Sequence, residues 1–429
     1  RRVGGVRYTY VKVTGGVLHA RDEVQTLSGA CKVAAVLAPQ GGKLLTMGEA
    51  HAGQTVALAG LSAKPGERIG ADCGLEAPET VPLMSVQVEP VEPLTQSTLL
   101  MHLRELEEED PLLSVRPEAE GVSVGVMGAV QVEVLQGVLA SRFGDRVRML
   151  PPHVLYKETI GAPVVGIGHY EPLRHYAEVW LRLEPGAPGS GVTFTADCPP
   201  NSLDENWKRL IRTHVFEREH PGVLTGSPLT DVHVRLIAGR AHLKHTEGGD
   251  FREATCRAIR NALMQAENVL LEPVVRFELA MPSGALARVT GELLRIGAQL
   301  DASETDGEET TLTGACTAAM FWDYPTKFAA STRGHGRIAS WFYRYEPCKN
   351  QAEVVQKLGY DALADVQNPP GSVFCSHGAG FYVAWDHVRD WAHCEAEVGE
   401  GDSGALPHAP AGNWNVIHCI PHSGRSFRS

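Results

Sequence analysis

The stretch Leu270–Leu300, LLEPVVRFELAMPSGALARVTGELLRIGAQL, changes its period midway. Val274–Ala280 has the two-residue alternation of a strand lying on a core, and Ala285–Ile296 has the longer spacing of a helix. Further strands are expected at Leu300–Glu304 and Thr310–Cys316, then a helix at Trp322–Thr332 and a strand at Ile338–Tyr345. The order β-α-β-β-α-β is the split, ferredoxin-like sandwich, here over residues 271–346.

The same order recurs over residues 82–150. Strands at Met84–Val88, Leu113–Arg116, Val122–Met127 and Val147–Leu150 alternate with helices at Thr95–Glu108 and Val130–Phe143. Leu99, Leu100, Leu103 and Leu106 share one face of the first helix, which Asp110-Pro111 ends. The acids Glu107–Asp110 at that end read as a solvated face. Residues 1–81 are short strands punctuated by Gly and Pro, with a hairpin signal at Gly15-Gly16, and a small β-barrel is expected.

Residues 151–270 contain strands at Tyr176–Leu183, Val192–Ala196 and Val232–Ala238, and helices at Leu203–Arg218 and Phe251–Glu267. Asp250 with Glu253 three positions on reads as a capping box. That leaves 239–249 as an exposed tip between strand and helix. Residues 347–395 form a C-terminal extension, and 396–429, rich in Gly, Pro, Ser and His, read as a disordered tail. The fold class is multidomain, β and α+β: a barrel, a sandwich, a βαβ-containing domain, a second sandwich and the extension.

Composition bounds the function. A chain of 429 residues suggests roughly three domains at about 150 residues each. No run of 18 apolar residues occurs, and no charged-then-apolar leader is visible, so neither a membrane span nor a secretory signal is expected. The nine Cys are dispersed without a C-x-x-C pair, which argues against zinc or thioredoxin-type sites and fits a reducing cytoplasm. The chain starts at Arg1 and is expected to be a fragment of a longer protein. A net charge of −12 argues against nucleic acid at first, yet residues 151–270 carry only −1 and hold eight of the 18 His. Any RNA-facing surface is therefore local to that segment.

With this domain order, the sequence resembles domains II to V of elongation factor G-like translation GTPases. YKETI (Tyr156–Ile160) looks like the entry to the family's domain IV. LEEEDPLL (Leu106–Leu113) and MGAVQVEVL (Met127–Leu135) look like domain III helices. LLEPVVRFEL (Leu270–Leu279) and TRGHGR (Thr332–Arg337) look like the first strand and last loop of domain V. The extension, with NPPGSVFCSHGAGFYV (Asn368–Val383), is similar to the tetracycline-resistance ribosomal protection branch. The resemblance implies docking on the bacterial 70S ribosome, a reach to small-subunit rRNA near the decoding region, and release of tetracycline. It implies a cytoplasmic monomer with no membrane or DNA partner. It also implies GTP and Mg on an N-terminal domain outside this sequence, which would make the intact parent a GTP hydrolase. Two alternatives stay open: a general elongation factor G-like protein with no drug role, since the tip AHLKHTEGGDFREA (Ala241–Ala254) departs from the branch's apolar tip, or a truncated, non-functional product.

The candidate RNA contacts are Arg235, Arg240, His242, Lys244 and His245, a stretch without an acid until Glu247. Exposed cations at such spacing suit phosphates and read no sequence. Arg333, His335 and Arg337 are a second set, with Gly334 and Gly336 expected to expose backbone amides. No catalytic residue, metal ligand or cofactor site is expected in the chain. Cys375, Ser376 and His377 have no orienting acid at a recognisable spacing, and the neighbours Phe374, Phe381 and Tyr382 point to packing. Gly186–Thr193, GAPGSGVT, has the glycines of a phosphate-binding loop but Val192 where the lysine belongs, and reads as a plain loop. Residues 1–429 should therefore neither bind nor hydrolyse GTP. A micromolar dissociation constant by calorimetry would contradict that.

Overall fold

The computed structural model describes residues 2–3, 5–26, 29–70, 81–118, 121–198 and 203–394, so the expected tail at 396–429 lies outside the described residues. The chain divides into two compact units. The first combines residues 1–157 with 270–349, and the second combines 158–269 with the segment from 350 on.

In the first unit, strands Arg2–Val3, Val6–Lys12, Thr55–Ala59, Ala35–Gln40 and Lys43–Met47 pair in that order into one five-stranded sheet. Two separate two-stranded ladders lie beside it, Val17–His19 with Glu49–His51 and Glu23–Thr26 with Gly29–Lys32. No ladder among the described residues joins the sheet's edges, so the expected barrel is not closed. Val33, Val36, Val56 and Leu58 form its small core.

Both sandwiches are present. In the first, Arg116–Pro117, Val122–Val126, Met84–Pro90 and Val147–Met149 lie side by side in that order under helices Gln96–Glu107 and Ala129–Phe143. Thr95 caps the first helix, its Oγ1 accepting from the Thr98 amide. The strand expected at Leu113–Arg116 is displaced: Leu113 ends a 3-10 turn, Pro111–Leu113, and the strand is only Arg116–Pro117. The acids at the helix end are not merely solvated. Arg142 of the second helix pairs with Glu105 at 2.6 Å and Glu109 at 2.8 Å, and Glu107 accepts the Val115 amide. In the second sandwich the long strand Asn268–Pro282 lies between Glu309–Thr317 and Arg337–Pro347, with Gln299–Asp306 at the edge. Leu99, Leu103, Leu139, Phe277, Leu293 and Phe328 are buried in one contiguous cluster spanning both sandwiches.

The second unit is one mixed sheet. Its strands are β1 (Val164–Tyr170), β2 (Ala177–Pro185), β3 (Val192–Ala196), β4 (Val232–Ala241), β5 (Ser372–Ser376) and β6 (Ala379–Val383), in the order β3-β4-β2-β1-β5-β6. Helices α1 (Glu205–Phe216) and α2 (Gly248–Gln265) cover one face. The extension is thus no separate appendage: β5 runs parallel to β1, with Tyr170 opposite Val373. His377 lies exposed in the β5–β6 turn at φ 51°, and it is Phe374 and Phe381 that pack. The loop 186–191 links β2 to β3 and opens no helix, its Gly186 amide donating to Asp231 O.

Helix α2 lies unusually close to β1. An added Cβ at Gly166 would sit 2.1 Å from Ala258 O, and one at Gly168 only 1.8 Å from Ala254 O. Ala254, Ala258 and Ala262, one helical turn apart, are fully buried on the facing side. Backbone cannot retreat as a flexible side chain can, so Gly168→Ala should lower stability by about 3 kcal/mol or more. Gly249→Ala, where a Cβ meets nothing within 4 Å, should leave it unchanged or raised. Urea unfolding of the two variants checks the contrast.

Candidate nucleic-acid interface

The cations at the tip are aimed by a register shift. Trp180 on β2 pairs with Ala238 on β4, but Leu181 pairs with Leu236, so Ile237 is an extra residue. Such a bulge reverses the alternation of the bulged strand. Val232, Val234 and Leu236 pack under the helices, whereas Ala238 packs on the opposite face with Trp180 and Phe374. Arg240, two residues on, follows Ala238. Its Nη1 reaches His393 O at 3.4 Å, and the side chain stays exposed.

The tip is shorter than expected. Strand β4 runs to Ala241 and α2 starts at Gly248, leaving 242–247 as the loop. The capping box also lies one turn earlier than the sequence spacing put it: Glu247 caps and Asp250 is its partner, with Asp250 Oδ2 accepting the Glu247 amide at 2.8 Å. Gly248 and Gly249 are thereby the first residues of the helix. The loop is closed by its own hydrogen bonds. The His245 and Thr246 amides donate to His242 O, the His242 amide donates to Thr246 Oγ1, and that hydroxyl donates to Tyr176 O at 2.6 Å. The rings of His242 and His245 stack at 4.6 Å, and Leu243 is fully exposed between them. Among the described residues, no ion pair engages Arg240, Lys244 or His245.

The other expected contacts sit differently. Arg235 is on β4 before the bulge and pairs with Asp197 at 2.8 Å and Glu184 at 3.2 Å. Arg333, His335 and Arg337 belong to the first unit and the tip to the second. Their turn does not present free amides, because those of Arg333, Gly334 and His335 donate to Ala330, Ala329 and Thr332 carbonyls. Arg337 pairs with Glu309 at 2.6 Å.

Beneath the tip lies a buried polar group that no sequence spacing signals. His169, Glu178 and Arg240 stand side by side across β1, β2 and β4. Glu178 is fully buried and accepts from His169 Nδ1 at 2.8 Å, Trp180 Nε1 at 2.8 Å and the amides of His393 and Cys394. Burial alone would raise this carboxyl, but these donors outweigh it and hold the group down at about 2. The His169 ring stacks on Phe374 at 4.1 Å, and its Nε2 faces Glu171 at 3.1 Å. Tyr176 stacks on His393 and hydrogen-bonds its Nδ1 at 3.1 Å. Burial, and then the nearby His169 ring, push His393 below its ordinary value. His169, Glu178 and His393 offer three ligand atoms within 4.8 Å of one another. Since both Glu178 oxygens already accept from protein donors, the cluster is an anchor for residues 393–394 rather than an open cation site.

Residues 152–267 match the family model for elongation factor G, domain IV, and residues 269–355 match that for the elongation factor G C-terminus. Over both of these regions the chain is similar to elongation factor G. It is 29% identical to tetracycline resistance protein TetP of Clostridium perfringens over 82% of this chain and 56% of that protein. It is 28% identical to elongation factor G 1 of Geobacter sulfurreducens, over 83% and 54% respectively. The chain thus spans about half the length of the curated relatives it matches. A crystal structure of a Thermus thermophilus protein shares the fold, with TM-score 0.55, 23% identity, and 80% of this chain and 54% of that one covered.

In elongation factor G terms, the tip is the β4–α2 loop of domain IV, and the anchor ties domain IV to residues beyond both matched regions. No helix among the described residues is long and apolar enough to cross a membrane. Glu178→Gln should cost on the order of 3 kcal/mol at neutral pH, because it leaves buried donors short of a charged acceptor. A depressed carboxyl contributes stability that is full above its ordinary value of 4.5 and is lost as pH falls toward about 2. The stability gap between wild type and Glu178→Gln should therefore narrow across that window. A gap independent of pH would assign Glu178 a packing role only.

Proposed function

We propose that this chain is the ribosome-docking part of a translation factor of the ribosomal protection kind. The observation that carries the reading is the domain IV tip. Among the described residues, Arg240, Lys244 and His245 lie exposed and without an ion-pair partner at the end of a rigid strand, while Arg235 and Arg337 are held by carboxylates. Unpaired cations on a fixed backbone suit rRNA phosphates. On this reading the tip meets small-subunit rRNA near the decoding region of the bacterial 70S ribosome, in the cytoplasm, and the outcome is release of tetracycline. The similarity to TetP supports the last step. We assign GTP and Mg binding to a domain outside residues 1–429, in keeping with the greater length of the relatives.

A second reading, a general translation factor with no drug role, is favoured by the nearly equal identity to elongation factor G 1, 28% against 29%. Tolerance of a tetracycline-sensitive host expressing the full-length protein separates the two, since only the first raises it.

The tip itself is tested by Arg240→Ala with Lys244→Ala. Ribosome affinity should fall about tenfold at low salt, and the slope of log affinity against log salt should shrink by about two. Stability should change by no more than about 0.5 kcal/mol, since both side chains are exposed. Equal affinities across a salt series would make the tip a solvated loop.

A further inference from the structure

The second unit has a cavity of about 80 Å³ between helix α2 and the extension, away from the tip residues. Arg218, Arg252, Arg257 and Arg260 line it, and Asn368 of the extension closes it. Among the described residues, the only carboxylates in its lining are Glu217 and Glu253. Glu217 pairs with Arg252 at 2.8 Å, and Glu253 with Arg257 at 3.3 Å. The other two guanidinium groups hydrogen-bond mainly to neutral partners. Arg218 donates to Asn368 Oδ1. Arg260, with its side chain 3% exposed, donates to Pro221 O, Gly222 O and Tyr360 OH, with Asp365 at 3.9 Å. His220 adds no charge at neutral pH, because burial pushes its pKa down to about 4.

With Asp365 set against Arg260, only Arg218 of the four lacks a carboxylate among the described residues, so the cavity carries a surplus of one positive charge. Two atoms of these lining residues, Arg257 Nε and Arg260 Nε, are buried with no hydrogen-bond partner among the described residues. Buried cations and buried N–H groups are each costly without a partner. One tetrahedral oxyanion supplies both the charge and several acceptor lone pairs. The space is that of about two to three waters, enough for one such group and too small for a nucleoside.

We propose that this cavity binds a phosphate group, as inorganic phosphate or as a phosphodiester of an RNA backbone. The site needs the extension: Gln367, Asn368 and Pro369 close it, and they lie beyond the segments that match elongation factor G. The proposal does not depend on the ribosome reading.

The test is calorimetry on the full 429-residue chain in a chloride buffer, with inorganic phosphate in one arm and a short RNA without terminal phosphates in the other. Wild type should bind in at least one arm, with a dissociation constant on the order of 1 mM or tighter. Arg218→Gln, an exposed position, should weaken that binding by about tenfold or more. Arg252→Gln serves if the first variant fails to fold. The tip variant Arg240→Ala with Lys244→Ala should keep phosphate binding, which separates this cavity from the tip. Binding in the phosphate arm identifies a free-phosphate site, and binding in the RNA arm alone that is kept by the tip variant and lost by the cavity variant identifies a backbone contact. No binding in either arm, or equal binding by wild type and the cavity variant, overturns the proposal.

Discussion

The second unit depends on one close approach, that of α2 to β1. Gly166 and Gly168 leave the middle of the strand without side chains on its helix side, between Val164 and Tyr170, and Ala254, Ala258 and Ala262 do nearly the same for the helix. The helix backbone then lies where Cβ atoms would be. This fixes α2 along its length, and with it the point where α2 begins. Asp250, in its first turn, accepts the amide of the capping Glu247 and also meets His175 Nδ1 at 2.8 Å. The loop 242–247 is consequently suspended between a strand end and a helix start that are both anchored. Its backbone therefore has little freedom to lose on meeting a partner, although the exposed side chains keep theirs.

The same approach creates a demand on the other face of the sheet. With glycines toward the helix, β1 turns Val165, Ile167 and His169 the opposite way, and those side chains require cover. The extension supplies it with Phe374, Val383 and Val388. A buried His and a buried Glu in that layer are tolerable only because each finds charged or backbone partners. Glu178 holds the chain at residues 393–394 through their amides, so the layer is closed by a charge-assisted latch as well as by apolar contact.

These relations explain what could be read from the residues alone. The two sandwiches were legible because their strands and helices differ in hydrophobic period and their pairing is largely local. The bend at Gly15-Gly16 was legible, but the hairpin expected there does not form, since Val6–Lys12 pairs with Thr55–Ala59 and Val17–His19 with Glu49–His51, and neither that pairing nor barrel closure is encoded by a local pattern. Strand β1 escaped notice because VVGIGHY is buried on both faces, so it lacks alternation, and its glycines mimic a loop. The parallel pairing of Tyr170 with Val373 joins positions far apart in the chain and leaves no periodic trace. At the tip, Arg240, His242, Lys244 and His245 were legible as a run of cations. Their orientation was not, because it rests on an extra residue at Ile237 that shows only in the ladder. Both Asp250–Glu253 and Glu247–Asp250 fit the acid-x-x-acid spacing, and only packing of Phe251 and the bond to His175 selects the second.

Charge is where the local and the global reading separate. The chain carries −12 overall, which at long range opposes any polyanion. At physiological ionic strength that repulsion is screened beyond about 8 Å, so it acts mainly on surfaces brought into contact. Several cations are already matched: half-buried Arg142 by Glu105 and Glu109, half-buried Arg235 by Asp197 and Glu184, exposed Arg337 by Glu309. A matched cation offers a phosphate little, because the phosphate must displace a carboxylate that is already in place. Arg240 escapes this although Glu178 stands opposite it in register, since the Glu178 oxygens are committed to His169, Trp180 and the backbone of 393–394. The buried anchor therefore does two things at once. It closes the second layer of the sheet, and by engaging the nearest acid it leaves the strand-end arginine without a carboxylate, bonded to His393 O instead.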